Sequence, residues 1–151
     1  MHLAQLNVAR MLAPIDSPDL ADFVARLDAV NAAAEGAPGF VWRLVDDEGA
    51  NATGIHPLGD DMLLVNLSVW ESPQALLDFV YRDTGHAAAL RKRREWFQRA
   101  TQATVVGWWV PEGHRPTVEE AMERLHHLRE YGSTPYAFPL TLPTPPPPAA
   151  D

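Results

Sequence analysis

The segment MLLVNLSVW at positions 62–70 constrains the fold more than any other part of this chain. It contains no glycine or proline and is rich in leucine, valine and tryptophan, which is typical of a central β-strand. Its alternate positions put apolar residues on both faces: Leu63, Val65, Leu67 and Val69 on one, and Leu64 and Trp70 with Asn66 and Ser68 on the other. A sheet that is apolar on both faces must be covered twice. We therefore predict a homodimer in which a second copy covers the open face.

The remaining strands and helices follow from periodicity and from helix-end signals. Further strands are predicted at 2–9, 40–44 and 104–110, and helices at about 20–35, from Pro73 onward with an interruption at 82–85, and at 117–131. Ser72, followed by Pro73, is placed to cap the helix that begins there. Thr117 and Glu120 form a capping box for the last helix, and Gly132 is placed to end it. The order predicts an α+β fold of ferredoxin-like βαββαβ type, an antiparallel sheet with helices on one face, plus a C-terminal helix.

We predict one domain over residues 1–140, followed by a proline-rich flexible tail at 141–151. The chain has 12 basic and 20 acidic residues, a net charge of −8, and its basic residues concentrate in RKRR at 91–94. This balance argues against nucleic acid and anionic membranes as partners. There is no cysteine, and no signal-peptide pattern or apolar run long enough to span a membrane, so we expect a cytoplasmic protein.

The segment YRDTGHAAALRKRREWFQRA at 81–100 carries two polar residues on an apolar helix face. At about 100° per residue, His86 and Arg93 are predicted to project among the apolar residues Trp96 and Phe97. In the first turn of the helix the positive dipole end disfavours protonation of His86, so a neutral imidazole can accept a proton. The alternatives are a core histidine with satisfied nitrogens, and an arginine whose stem covers apolar surface while its head reaches water.

Polar residues also share faces of two predicted strands, Gln5 with Asn7 and Asn66 with Ser68. If these faces look toward the helix that carries His86, the polar side chains line one small-molecule pocket. If they face a dimer partner, they set its register instead. Trp70 and Trp96 are predicted to contact the ligand, although most tryptophans in such a chain pack in the core.

The other histidines do not suggest a metal centre. The spacing from Glu123 to His126 matches the carboxylate and histidine ligands of di-iron bundles, but such a centre needs a second copy that this chain lacks. His114 precedes a helix, where a turn or cap role is expected. We predict no metal site.

Four segments resemble a known family: VWESPQALLDFVY, GHAAALRKRREWF, GWWVPEGHRPTVEEAMERL and GSTPYAFPL. They are similar to the bacterial domain-of-unknown-function 3291 family, grouped by fold with the dimeric α/β-barrel proteins that include antibiotic-biosynthesis monooxygenases. The resemblance implies that fold and a dimer. Members of the wider group include cofactor-free quinol oxygenases, haem-degrading oxygenases, lactone isomerases and ligand-binding modules, and fold does not choose among them.

We predict a small-molecule-binding protein of this type. If it is an enzyme, His86 acts as general base and Arg93 and Asn66 stabilise an oxyanion, in cofactor-free monooxygenation or isomerisation of an enolisable or phenolic metabolite. No cofactor is needed for that chemistry. One alternative makes His86 an axial haem ligand, and another is a non-catalytic ligand-binding or interaction module.

Overall fold

The computed structural model describes residues 1–46, 52–82 and 84–148, apart from the side chains of Leu58, residues 84–87, Ala89 and Leu90. The strands are β1 His2–Arg10, β2 Phe40–Arg43, β3 Leu63–Trp70 and β4 Val105–Val110. The helices are α1 Ala21–Glu35, α2 Pro73–Arg82, α3 Thr84–Trp96 and α4 Val118–Tyr131. Each lies within a few residues of its predicted position.

The four strands form one antiparallel sheet in the order β2, β3, β1, β4. Both crossover connections contain helices, α1 between β1 and β2, and α2 with α3 between β3 and β4. This is the ferredoxin-like βαββαβ topology, so the predicted fold class is confirmed.

The predicted helix ends are formed by the predicted side chains. The hydroxyl of Thr117 accepts a hydrogen bond from the Glu120 amide at 3.1 Å, and the hydroxyl of Ser72 accepts one from the Ala75 amide at 3.1 Å. Gly132 ends α4 at a φ of 78°, a left-handed value that glycine adopts without steric cost. These caps satisfy amide groups that the first turns of the helices would otherwise leave unpaired.

One face of the sheet, which we call the α4 face, is covered by α4. Its core consists of apolar residues from three strands packed against the buried side of α4: Ala4, Leu6, Val8, Val65, Leu67, Val69, Val106, Trp108, Val110, Ala121, Met122, Leu125 and Leu128. The sequence argument that a partner molecule must cover this face is therefore wrong, because a helix of the same chain does so. The homodimer stays a prediction without that support.

The opposite face, which we call the cleft face, is covered by α1, α2 and α3 at its two ends. At one end Leu3 and Trp70 pack with Leu76 of α2. At the other end Leu64 packs with Leu20 and with Trp96 of α3. Between the two ends Asn7 and Asn66 are exposed, so this face retains an opening at its centre.

The C-terminal segment continues the fold beyond α4. Gly107 and Phe138 exchange backbone hydrogen bonds of 2.7 and 3.0 Å, which attaches the segment to the edge of β4. Further along, Trp109 Nε1 donates to the Thr144 carbonyl at 2.9 Å. The predicted tail at 141–151 is thus held at Thr144. Within the described part of the chain, none of the helices combines the length and apolar character needed to cross a bilayer.

Candidate functional site

A cleft of about 190 Å³ lies between the centre of the cleft face and the helices α1 and α3. Asn7 and Asn66 sit directly opposite each other on β1 and β3 and both line it. Its apolar walls come from both helices and from β3: Phe23, Leu27, Val30, Leu64, Trp96 and Phe97. At its rim Arg26 is paired with Asp22 at 3.2 Å, and Arg43 with Glu35 at 2.6 Å. The cleft thus combines apolar walls with a few amide groups, as small-molecule sites do.

Asn31 is the buried polar residue of this cleft. It lies on α1 with only 8% of its surface exposed, and its side chain makes no hydrogen bond to any residue that the structure describes. Its amide nitrogen and oxygen retain some accessible surface, so they are open to a ligand in the cleft. Asn31 was not predicted, although it follows Phe23 and Leu27 at helical spacing, the same signal that singled out His86 and Arg93.

The predicted strand residues separate into two groups. Gln5 Nε2 donates to Asn66 Oδ1 at 2.8 Å and to Ser68 Oγ at 2.7 Å, and Trp70 Nε1 donates to the same hydroxyl at 2.9 Å. Gln5 and Ser68 are therefore buried in a satisfied network and do not line the cleft. Asn66 belongs to both groups, since its oxygen is used by Gln5 while its Nδ2–H donors remain for the cleft.

Arg93 does not project into the apolar core, so that prediction is wrong. Arg93 is exposed and lines a separate cavity, which Phe97 also lines. The apolar space beneath this part of α3 is filled by Trp96, and a long arginine side chain can reach water from the adjacent position. The exposure of Arg93 agrees with the alternative derived from the sequence, an arginine whose head reaches water.

The His86 backbone lies in the first turn of α3, but its side chain is outside the described residues. Helical rise of about 1.5 Å per residue places His86 roughly 15 Å along α3 from Trp96. Trp96 lines the cleft, so its contact with a ligand stays a prediction, whereas Trp70 is buried beside Phe40 and Phe79 and is not part of the cleft lining.

A larger groove of about 900 Å³ lies between α4 and residues 55–57. Its charged side chains, among them Glu119, His126 and Glu130, are exposed and need no partner. In the described ranges no group of three or more histidine, aspartate or glutamate side chains is arranged to hold a metal ion. His114 binds Glu120 at 2.8 Å, ahead of α4, where a cap or turn role was expected.

Two of three comparisons with known proteins give a match. A family model described as "Domain of unknown function (DUF3291)" matches residues 2–151. No curated protein matches the chain. A crystal structure from Chloroflexus aurantiacus J-10-fl, provisionally assigned as an antibiotic biosynthesis monooxygenase, is 16% identical, with a TM-score of 0.48 over 76% of this chain and 98% of that one.

Proposed function

We propose that this chain, which belongs to the DUF3291 family, binds a small ring-containing molecule in the cleft between its sheet and the helices α1 and α3. The observation that carries the proposal is Asn31, a polar residue with 8% of its surface exposed, which lines the cleft among apolar walls and makes no hydrogen bond within the described structure. A hydroxyl or carbonyl group on a ligand would hydrogen-bond to its amide.

The size of the cleft sets the size of the ligand. A cavity of about 150 Å³ lined by apolar side chains binds benzene, and this cleft measures about 190 Å³. One or two fused rings fit that volume. A macrocycle of four pyrrole rings is several times larger than benzene, so the volume of this cleft favours a small aromatic ligand over haem.

Binding of 2-naphthol and naphthalene, measured by ligand-observed NMR, tests the proposal. We expect 2-naphthol to bind about tenfold more tightly, since one hydrogen bond to a buried amide is worth about 1 kcal/mol or more. Asn31→Leu should remove this preference, whereas Ala32→Leu, on the exposed side of α1, should retain it. Failure of both compounds to bind, or a preference that survives Asn31→Leu, would count against the proposal.

Catalysis in the cleft is a second proposal, supported by Asn66. Because its oxygen accepts from Gln5 Nε2 at 2.8 Å, its Nδ2–H can donate to an oxyanion in the cleft. His86, whose imidazole would have to reach the ligand from the first turn of α3, would remove the proton from a phenol or from the carbon beside a carbonyl, the first step common to isomerisation and cofactor-free oxygenation. Arg93 would act on the ligand only from the neighbouring cavity.

Exchange of solvent deuterium into a bound enolisable ketone such as 2-tetralone reports this proton transfer directly. We expect His86→Ala to abolish the exchange and Asn66→Ala to slow it, with His114→Ala as a control outside the cleft. Equal exchange in the wild-type and His86→Ala proteins would leave a binding module without catalysis.

A further inference from the structure

A second cavity, of about 490 Å³, lies beside the cleft at the end of β1. There β1 continues to Arg10, although its pairing with β4 ends at Asn7 and Val105. Five arginines line this arginine pocket: Arg10, Arg93, Arg94, Arg99 and Arg129. The whole chain has only 12 basic residues against 20 acidic ones, and its described lining includes no aspartate or glutamate. The pocket is therefore a local concentration of positive charge in a chain whose overall charge is negative.

Helix-end electrostatics explain only part of this concentration. Arg93 and Arg94 lie in the last turn of α3, where the negative end of the helix dipole favours cations. Arg10 ends β1, Arg99 lies in the connection to β4, and Arg129 belongs to α4. Guanidinium groups brought together from four parts of the chain repel one another, and a bound anion would relieve that repulsion.

Most of the donor capacity of these arginines is not used within the part of the chain that the structure describes. Arg10 binds Asp60 at 2.8 Å, and Arg129 Nε donates to the Ala103 carbonyl at 2.8 Å. Burial lowers the pKa of Arg129, so its charged form would gain from a nearby anion. Arg93, Arg94 and Arg99 form no ion pair with a side chain in the described ranges. Each guanidinium carries donors that match the oxygens of a carboxylate or phosphate.

The arginine pocket and the cleft have three wall residues in common, Asn7, Ala9 and Phe97. We infer that the arginine pocket binds the carboxylate or phosphate group of the same ligand whose rings occupy the cleft, an inference that rests on the proposed function. The ligand class is then an aromatic or alicyclic acid or phosphate ester. Arg93 holds the anionic group from the helix turn that also supplies Trp96 and Phe97 to the cleft.

Three probes of the same ring size test this inference by titration calorimetry at low salt: 2-naphthoate, 2-naphthyl phosphate and the neutral 2-naphthamide. We expect the affinity for the tighter-binding of the two anions to exceed the affinity for the amide by about tenfold or more, since charge-assisted hydrogen bonds are stronger than neutral ones. The triple variant Arg93→Gln/Arg94→Gln/Arg99→Gln should bind all three alike. A triple variant of Arg82, Arg91 and Arg115 to Gln makes the same charge change away from the pocket and should keep the preference.

The outcomes separate this inference from the proposed function. If the wild-type protein binds the amide as tightly as both anions, the inference is overturned while ring binding in the cleft stands. A preference for anions that survives the pocket variant, or is lost equally in the control variant, also overturns it, because long-range charge would then be the cause. If none of the probes binds, both proposals fail. Thermal melts of each variant verify that folding is retained.

Discussion

Gln5 and Ser68 lie directly opposite each other on β1 and β3, and Gln5 Nε2 donates to Ser68 Oγ over 2.7 Å. Both residues were predicted from the sequence as ligand contacts. Gln5 and Ser68 hydrogen-bond to each other, and Trp70 Nε1 donates to the same hydroxyl. Their role is therefore to hold the centre of the sheet beneath the cleft. Asn7 and Asn66, one pair further along, remain available to a ligand.

Replacement of Ser68 by Ala should destabilise the fold without changing ligand binding. The variant leaves the buried Trp70 Nε1 without its acceptor, and an unsatisfied buried donor costs about 1–3 kcal/mol of unfolding free energy. Urea denaturation measures this loss, and Ser133→Ala, at an exposed position, should show none. Full stability with lost binding of 2-naphthol would instead place Ser68 in contact with the ligand.

Replacement of Gly107 by Ala should loosen the C-terminal segment. A Cβ there would lie 2.8 Å from Leu140 Cδ2 and 3.0 Å from Phe138 Cε2, and overpacking of this kind costs about 1–3 kcal/mol. Faster hydrogen exchange of the Phe138 amide would locate the effect. At Gly36 a Cβ meets only carbonyl oxygens at 3.8 and 3.9 Å, so Gly36→Ala should leave stability and exchange unchanged.

The ion pair between Asp60 and Arg10 should make stability depend on pH in the acid range. The hydrogen bond from Arg10, followed by that from the Met62 amide, holds the pKa of Asp60 below its ordinary value of 3.8. The folded state therefore binds fewer protons than the unfolded state, so this contribution is present above 3.8 and is lost as pH falls through the folded pKa.

Urea denaturation of wild-type protein and the Asp60→Asn variant, at neutral pH and at about pH 3, measures this dependence. The free energy by which the wild-type protein is more stable than the variant should be smaller at the lower pH. Asp61→Asn, an exposed neighbour, should not reproduce the change. A difference in unfolding free energy that is the same at both pH values would mean that the ion pair does not lower the pKa of the Asp60 carboxyl.

Truncation should show where the folded chain ends. Deletion of residues 141–151 removes the Thr144 carbonyl that accepts from Trp109 Nε1, and loss of that hydrogen bond should lower the unfolding free energy by about 1 kcal/mol. Deletion of 145–151 keeps Thr144 and should have no such effect. Equal stability of the two truncated proteins would support the predicted domain boundary at residue 140.

Local patterns in the sequence were enough for the elements and their order. Alternation over 62–70 and helical spacing from Leu20 onward reflect the periods of the two regular structures. Thr117, Ser72 and Gly132 mark helix ends because capping depends on residues only a few positions apart. The same period of two placed Gln5, Asn7, Asn66 and Ser68 on shared strand faces.

The sequence by itself therefore determined the strands, the helices, their topology and the candidate polar groups. Only the tertiary structure decided which of those groups bind each other and which face the cleft, because that depends on cross-strand register and on what covers each face. Three features depend on residues that are far apart in the sequence. They are the covering of one sheet face by α4, the exposure of Arg93 and the burial of Asn31. No short window of sequence contains both partners of such a contact.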